Sequence, residues 1–292
     1  MVKMLITGRS KPLTKSFDMY KLLALDLDGT VLNSANKIST SLKETIQSIS
    51  KDIMVVIVTG RHHTAAEPYY NELGLTTPII CCNGTYVYDY KSKLVLAENS
   101  IPKKNAREFI ALSEQFALKK VMYVQDAMSY SLDQPIEYMA ALKKWALSFP
   151  EAKRPNIRQI SDFNEELEAA PYIWKFVVEG EGENIEQFST LPFIKQQFMG
   201  ERSWHNRIDF SHAGNSKGNR LSHFIKDYAI HAEQVVAIGD NHNDISMIEL
   251  SGLGIAMLNA DLVVKQSADQ VCATDNNDQR GLAQLIERIF KP

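Results

Sequence analysis

Apolar residues run without a break through LLAL at 22–25 and stop at the carboxylates Asp26 and Asp28, as in a strand buried on both faces of a parallel sheet. The next segment, STSLKETIQSIS, changes period: Leu42, Ile46 and Ile49 share one face of a helix. Ser39 or Ser41 can cap it, and Ser41 with Glu44 makes a capping-box pattern. IMVVIVTGR then reads as a second buried strand that breaks at Thr59-Gly60. A helix over roughly 63–73 leads to a third strand, PIICCNG. Strand and helix in alternation predict a doubly wound, Rossmann-like α/β core with a parallel sheet.

After residue 84 the pattern changes. TYVYDYKSKLVLAEN alternates apolar and polar positions around Lys-Ser-Lys, which predicts an antiparallel hairpin. Helical and strand-like pieces follow, among them VMYVQD and YIWKFVVEG, in a stretch that holds Trp145, Trp174 and Trp204. This predicts an inserted α+β cap domain over 85–206 between core segments 19–84 and 207–292. In the return segment an amphipathic helix places Leu221, Phe224, Ile225 and Tyr228 inward. VVAIGDNHND is a fourth buried strand, and LAQLIERIF a closing helix. Residues 1–18 read as a poorly ordered extension, and Met19 stands as an alternative start.

Composition narrows the function. Thirty-two basic and thirty-five acidic residues give a net charge of −3, without the clustered basic excess that nucleic acid or an anionic membrane demands. Local positive groups must therefore recognise the ligand, a small molecule. No apolar run approaches the ~18 residues of a membrane span. Cys81, Cys82 and Cys272 form neither a disulfide framework nor a zinc pattern, and as core thiols they suit a reducing cytoplasm.

Three polar clusters end predicted strands: Asp26-Leu27-Asp28-Gly29-Thr30, Thr59-Gly60-Arg61 and Gly239-Asp240-Asn241-His242-Asn243-Asp244. A fourth, Gly214-Asn215-Ser216-Lys217-Gly218, opens a helix. Ligands of open α/β sheets bind at the carboxyl ends of strands, so the clusters are expected to converge. Asp26, Asp28, Asp240 and Asp244 would then crowd a phosphate dianion. Like charges ~4 Å apart repel by about 4 kcal/mol at an effective dielectric of roughly 20, so the site calls for a divalent cation. All-oxygen ligands favour Mg²⁺. Lys217 adds positive charge. Backbone N–H groups near Leu27 and Gly60, the Thr59 hydroxyl and the Asn243 amide add neutral donors. A calcium loop fails on spacing, because the positions that need Gly and Glu hold Val31 and Lys37.

DLDGT, TGR, NSKG and GDNHND, in that order, resemble the four motifs of the haloacid dehalogenase superfamily, and the large insertion resembles the cap of its Cof-type phosphatases. TGRHH, PIICCNGTYVYDY, MYVQDAM and WHNRIDFSHAGNSKG are similar to the pyridoxal-phosphate phosphatases of that superfamily. The resemblance implies Asp26 as nucleophile and Asp28 as general acid and base. It implies Mg²⁺ held by Asp26, Asp240 and the Asp28 backbone carbonyl, with Asp244 orienting Lys217 or a metal-bound water. Leu27, Thr59, Gly60, Lys217 and Asn243 would cradle phosphate, and Arg61, Asn83 and Asn215 would face the cleft. Tyr86, Tyr88, Tyr123 and His205 are candidates for contact with an aromatic ring, His62 and His63 for the cleft lining, and Trp174 and Phe176 for cap core. Pyridoxal 5′-phosphate hydrolysis leads, with a broad sugar-phosphate phosphatase and a non-catalytic phosphate sensor as alternatives. Gly29 to Lys37 leaves no room for the small cap of the phosphoryl-transferring mutases.

Overall fold

The computed structural model describes residues 20–133 and 136–291; the extension expected over 1–18 lies outside them. The chain opens with β1 (Leu22–Leu25), α1 (Thr40–Ile49), β2 (Met54–Ile57), α2 (His63–Leu73) and β3 (Ile79–Cys81). A hairpin follows, β4 (Tyr86–Asp89) and β5 (Leu94–Glu98). The insertion holds α3 (Lys103–Gln115), β6 (Lys119–Val124), β7 (Met128–Ser131), α4 (Glu137–Ala146), β8 (Ile157–Ile160) and α5 (Phe163–Ala169). It continues with β9 (Ile173–Glu179), α6 (Gly182–Thr190), α7 (Pro192–Gln197), β10 (Phe198–Trp204) and β11 (Arg207–His212). The return comprises α8 (Lys217–Asp227), β12 (Val235–Gly239), α9 (Ile245–Leu250), β13 (Leu253–Ala256), α10 (Leu262–Ser267), β14 (Gln270–Val271) and α11 (Gln279–Phe290).

The core sheet is parallel, in the order β14-β13-β12-β1-β2. From β1 the chain runs first to β2 on one side and, after the insertion, to β12 on the other. The crevice beyond the carboxyl ends of β1 and β12 is therefore a topological switch point, where such sheets bind ligands. Every residue of β1 and of β12 is buried, which explains their unbroken apolar character.

The cap is a second layer, a six-stranded sheet in the order β10-β11-β9-β6-β7-β8. Phe109, Phe176, Phe188, Phe198 and Phe210 form its own core with α3 and α6. β4 pairs with β3 and β5 with β4, in a three-stranded sheet separate from the cap sheet, while β11 pairs with β9 and carries the cap sheet to His212. Runs of alternating strands carry no mark of which sheet they join, so pairing decided what the pattern could not. Of the two caps expected for α1, Ser39 serves, accepting from the Leu42 N–H at 3.3 Å, while one expectation about α8 changes. Tyr228 is exposed, because α8 ends at Asp227 before completing the turn that would bury it. Trp174 and Phe176 are fully buried, and Cys81, Cys82 and Cys272 are buried free thiols.

Candidate active site

Four loops meet at the switch point. Asp26 follows β1, and Asp240 follows β12. Ser216 caps α8 by accepting the Asn219 N–H at 3.0 Å, which sets Lys217 in the first turn, pointing at the sheet ends. The Lys217 side chain is fully buried, and its Nζ donates to Asp26 Oδ1 and to Asp244 Oδ1, both at 2.6 Å. Burial alone would push the ammonium pKa down. Asp244 and Asp26 outweigh it and hold Lys217 above the usual lysine range. The other oxygen of Asp244 accepts the N–H groups of Asp240 at 2.9 Å and Asn241 at 3.0 Å. Asp244 is thus engaged at both ends.

Asp26, Asp240 and Asp244 each bring an oxygen within 4.8 Å of the others. Burial pushes Asp26 well above the carboxylate range, with Asp244, Asp240 and Asp28 adding to it against Lys217. Burial and Asp244 push Asp240 up to about 7, against the opposing hydroxyl of Thr30 and charge of Lys217. One lysine does not neutralise this cluster. A hard cation with oxygen ligands fits the donor set that remains, Asp26 and Asp240.

Asp28 faces the cleft with its side chain 53% exposed. Arg61 grips it with both arms, Nε to Oδ2 at 2.7 Å and Nη2 to Oδ1 at 2.5 Å. Enclosure in the cleft would raise the Asp28 carboxyl, but the charge and hydrogen bonds of Arg61 hold it below its ordinary range. The guanidinium packs against two rings that stack on each other, Tyr69 of α2 at 5.0 Å and Trp145 of the cap helix α4 at 4.8 Å. Trp145 Nε1 donates to the Tyr69 hydroxyl at 2.9 Å, so core and cap close around Arg61 together.

Asp26, Asp28, Gly60, Arg61, Asn83 and Asn243 line one wall of a cleft of about 930 Å³. Leu27, Thr59 and Lys217 are fully buried behind it. Thr59 Oγ1 accepts the Arg61 N–H at 3.1 Å. Asn243 Nδ2 donates to Asn83 Oδ1 at 3.1 Å, while its buried Oδ1 has no partner among the described residues. An amide with one polar end unspent, on the cleft wall, is free to meet a ligand.

Among the residues expected to reach toward the cap, Tyr123 lines the cleft, its hydroxyl 2.5 Å from that of Tyr138. His62 lines it too: its Nδ1 accepts the Thr64 N–H at 3.2 Å, so the N–H at Nε2 donates to the Val124 carbonyl of β6 at 2.9 Å. Burial lowers the His62 pKa to about 4, which keeps this latch neutral. Tyr86, Tyr88, His63, His205 and Asn215 are not in the lining. Tyr86 is buried against Trp174, ring centroids 4.1 Å apart, and its hydroxyl accepts the His63 N–H at 3.0 Å. The Tyr88 and His63 rings stack at 3.9 Å. His205 lies exposed in the turn between β10 and β11, where its carbonyl accepts from Arg202 at 2.8 Å. Asn215 ties the two crossovers between core and cap, donating to Asn99 O at 3.0 Å and Thr85 Oγ1 at 3.2 Å.

Sequence reasoning missed the polar strip on the cap face. Lys175 Nζ donates to Asp209 Oδ2 at 2.5 Å and to the Gly60 carbonyl at 3.0 Å, and sits 4.7 Å over the Tyr123 ring. Glu201, opposite Asp209 in the β10–β11 register, accepts from Asn83 across the cleft; burial and Asp209 raise its pKa to about 7. Tyr138 and Trp145 complete that wall. A lysine inside the otherwise apolar run IWKFVV was the available signal.

With this geometry in place, the comparisons with known proteins are specific. The haloacid dehalogenase-like hydrolase family matches residues 23–286. The pyridoxal phosphate phosphatase YbhA of Escherichia coli is 37% identical over 273 residues, covering 91% of this chain and 97% of that protein. The 5-amino-6-(5-phospho-D-ribitylamino)uracil phosphatase YitU of Bacillus subtilis is 27% identical, covering 92% and 97%. A haloacid dehalogenase-like hydrolase from Bacteroides thetaiotaomicron superposes with a TM-score of 0.78 at 28% identity, over 93% of this chain and all of that one.

Proposed function

The chain belongs to the haloacid dehalogenase-like hydrolases, and from that premise we propose that it hydrolyses pyridoxal 5′-phosphate through an aspartyl-phosphate on Asp26. The observation that carries the reading is the setting of Asp26. It is buried between Lys217 and Asp240 at the switch point and opens into a cleft whose far wall is aromatic and charged.

Asp26 attacks phosphorus while Asp28 gives its proton to the departing ester oxygen. This leaves an acyl phosphate and the free alcohol. Asp28, now a carboxylate, takes a proton from water. The resulting hydroxide attacks phosphorus, releases phosphate and restores Asp26. Because Arg61 holds Asp28 ionised in this structure, the bidentate pair must loosen as the ester enters, which lets Asp28 carry the first proton. Lys217 orients Asp26 and offsets phosphoryl charge, with Asp244 fixing Lys217. Mg²⁺ held by Asp26, Asp240 and the Asp28 carbonyl would supply charge neutralisation at the phosphoryl oxygens.

The substrate assignment is supported by the 37% identity to a pyridoxal phosphate phosphatase across core and cap together, and by Tyr123, Tyr138 and Trp145 in the wall that faces the leaving group. The cleft is large for a pyridine ring, near the top of the roughly 300–1,000 Å³ range of ligand pockets, which favours overlapping activity on other small esters such as sugar phosphates. A panel of esters compared by kcat/KM, with Mg²⁺ and with chelator, tests both parts. Pyridoxal phosphate tenfold below the common hexose phosphates would remove the substrate assignment, and full turnover in chelator would remove the metal.

A further inference from the structure

Asp240 is held at both carboxylate oxygens. Thr30 Oγ1 donates to Oδ1 at 3.0 Å and Asn259 Nδ2 to Oδ2 at 3.1 Å. Thr30 belongs to the DLDGT cluster. Asn259 belongs to none of the four clusters and sits in the loop after β13.

The amide of Asn259 is spent completely. Its Nδ2 also donates to the Gly29 carbonyl at 2.9 Å, and its Oδ1 accepts the Asn276 N–H at 3.1 Å. Asn276 in turn donates through Nδ2 to the Leu32 carbonyl at 2.9 Å. These partners fix which end of the amide is which. Reversed, the carbonyl would face two acceptors and the amino group a donor. Gly29 has φ +79°, and a Cβ there would fall 2.2 Å from Asp240 Oδ2. The backbone after Asp28 therefore lies directly against the Asp240 carboxylate, and Asn259 pins the two together from outside.

We infer that Asn259 is a positioning residue of the metal site. It sets the Asp240 carboxylate against the loop that carries Asp26 and Asp28. The inference rests on the Mg²⁺ reading above and adds to it a residue outside the motifs. Asn259 is itself exposed, so replacing it buries no unpaired group and the variants should fold. A plain loop staple would affect melting temperature. A positioning residue affects the ion.

The test is a Mg²⁺ titration of the intact protein, read both by melting temperature and by activity. In Asn259→Leu and Asn259→Ala the Mg²⁺ concentration at half effect should rise about 10–100-fold, the usual cost of removing an outer partner of a metal ligand. Turnover at saturating Mg²⁺ should stay within about twofold of wild type. Asn277→Ala provides the control: it removes a neighbouring staple, the Asn277 Oδ1 that accepts Ser34 N–H at 3.1 Å and Oγ–H at 2.8 Å, without touching Asp240. An unshifted Mg²⁺ midpoint in both Asn259 variants, or an equal shift in Asn277→Ala, would overturn the inference. A wild-type protein that shows no Mg²⁺ effect at all would instead sink the metal reading on which it rests.

Discussion

The two walls of the cleft are built in different ways. On the core wall each reactive group ends a fully buried parallel strand or opens a helix, so chemistry sits in short contiguous clusters. On the cap wall Tyr123, Lys175, Glu201 and Asp209 come singly from β6, β9, β10 and β11, and register alone brings them onto one face. The core wall offers charge suited to any phosphate. The cap wall offers rings and an ion pair that only the leaving group can meet. Catalysis and selectivity are thus separable, and substitutions should show it.

The largest effect belongs to the proposed nucleophile. Asp26→Asn should lower turnover on every ester by on the order of 10⁴-fold or more while the fold persists, because the amide is nearly isosteric and cannot attack phosphorus. Asp28→Asn should cost about 10²–10⁴-fold, the worth of an acid and base in one group. Steady-state kinetics on pyridoxal phosphate and on acetyl phosphate should give the same factor for both substrates in Asp26→Asn, whereas Asp28→Asn should cost pyridoxal phosphate more, because acetate departs without a proton. An Asp26 variant that changed the ranking of substrates would break the comparison.

Cap substitutions should do the opposite. Tyr123→Ala should lower kcat/KM for pyridoxal phosphate by up to about tenfold, since an aromatic contact adds roughly 0.5–1.5 kcal/mol beyond burial, and should leave acetyl phosphate nearly unchanged. Equal losses on both esters would reduce Tyr123 to a structural residue.

The pH dependence of stability sharpens the contrast further. Asp26 and Asp240 have folded-state pKa values raised above those of the unfolded chain, Asp240 to about 7. The folded protein therefore binds more protons than the unfolded chain between about pH 4, the ordinary carboxyl value, and pH 7. Without metal, stability from these groups must fall as pH rises through that window. Asp28 acts with the opposite sign: its lowered pKa contributes stability above the ordinary carboxyl value, lost on further acidification. Melting temperature without metal should thus be lower at pH 8 than at pH 6, with Mg²⁺ removing most of the difference. A metal-free melting temperature that climbs from pH 6 to pH 8 would contradict the burial of these two carboxylates.

The same division explains what could be read from the chain. Asp26, Lys217 and Asp240 were legible because burial on both faces leaves β1 and β12 uniformly apolar, and the carboxylates stand out at their ends. The cap residues were not. Lys175 is two residues from Ile173 and Val177 on one strand, and only its pairing with Asp209 and the Gly60 carbonyl shows that it faces the cleft. Tyr86 and His205 illustrate the reverse error. Both stand beside motif-like strings, yet one ring packs on Trp174 and the other residue occupies a solvent-facing turn. His205→Ala is accordingly the smallest effect expected, under about twofold on kcat/KM, as for other surface substitutions.

The central claim is that phosphorus passes through Asp26. Rapidly acid-quenched enzyme, mixed with pyridoxal phosphate and Mg²⁺ and digested for mass spectrometry, tests it most directly. One labile phosphoryl group on the peptide containing Asp26, absent in Asp26→Asn and accumulating in Asp28→Asn if hydrolysis of the intermediate slows more than its formation, is the result this account requires. A phosphoryl group on a serine or histidine, with Asp26 unmodified, would contradict it.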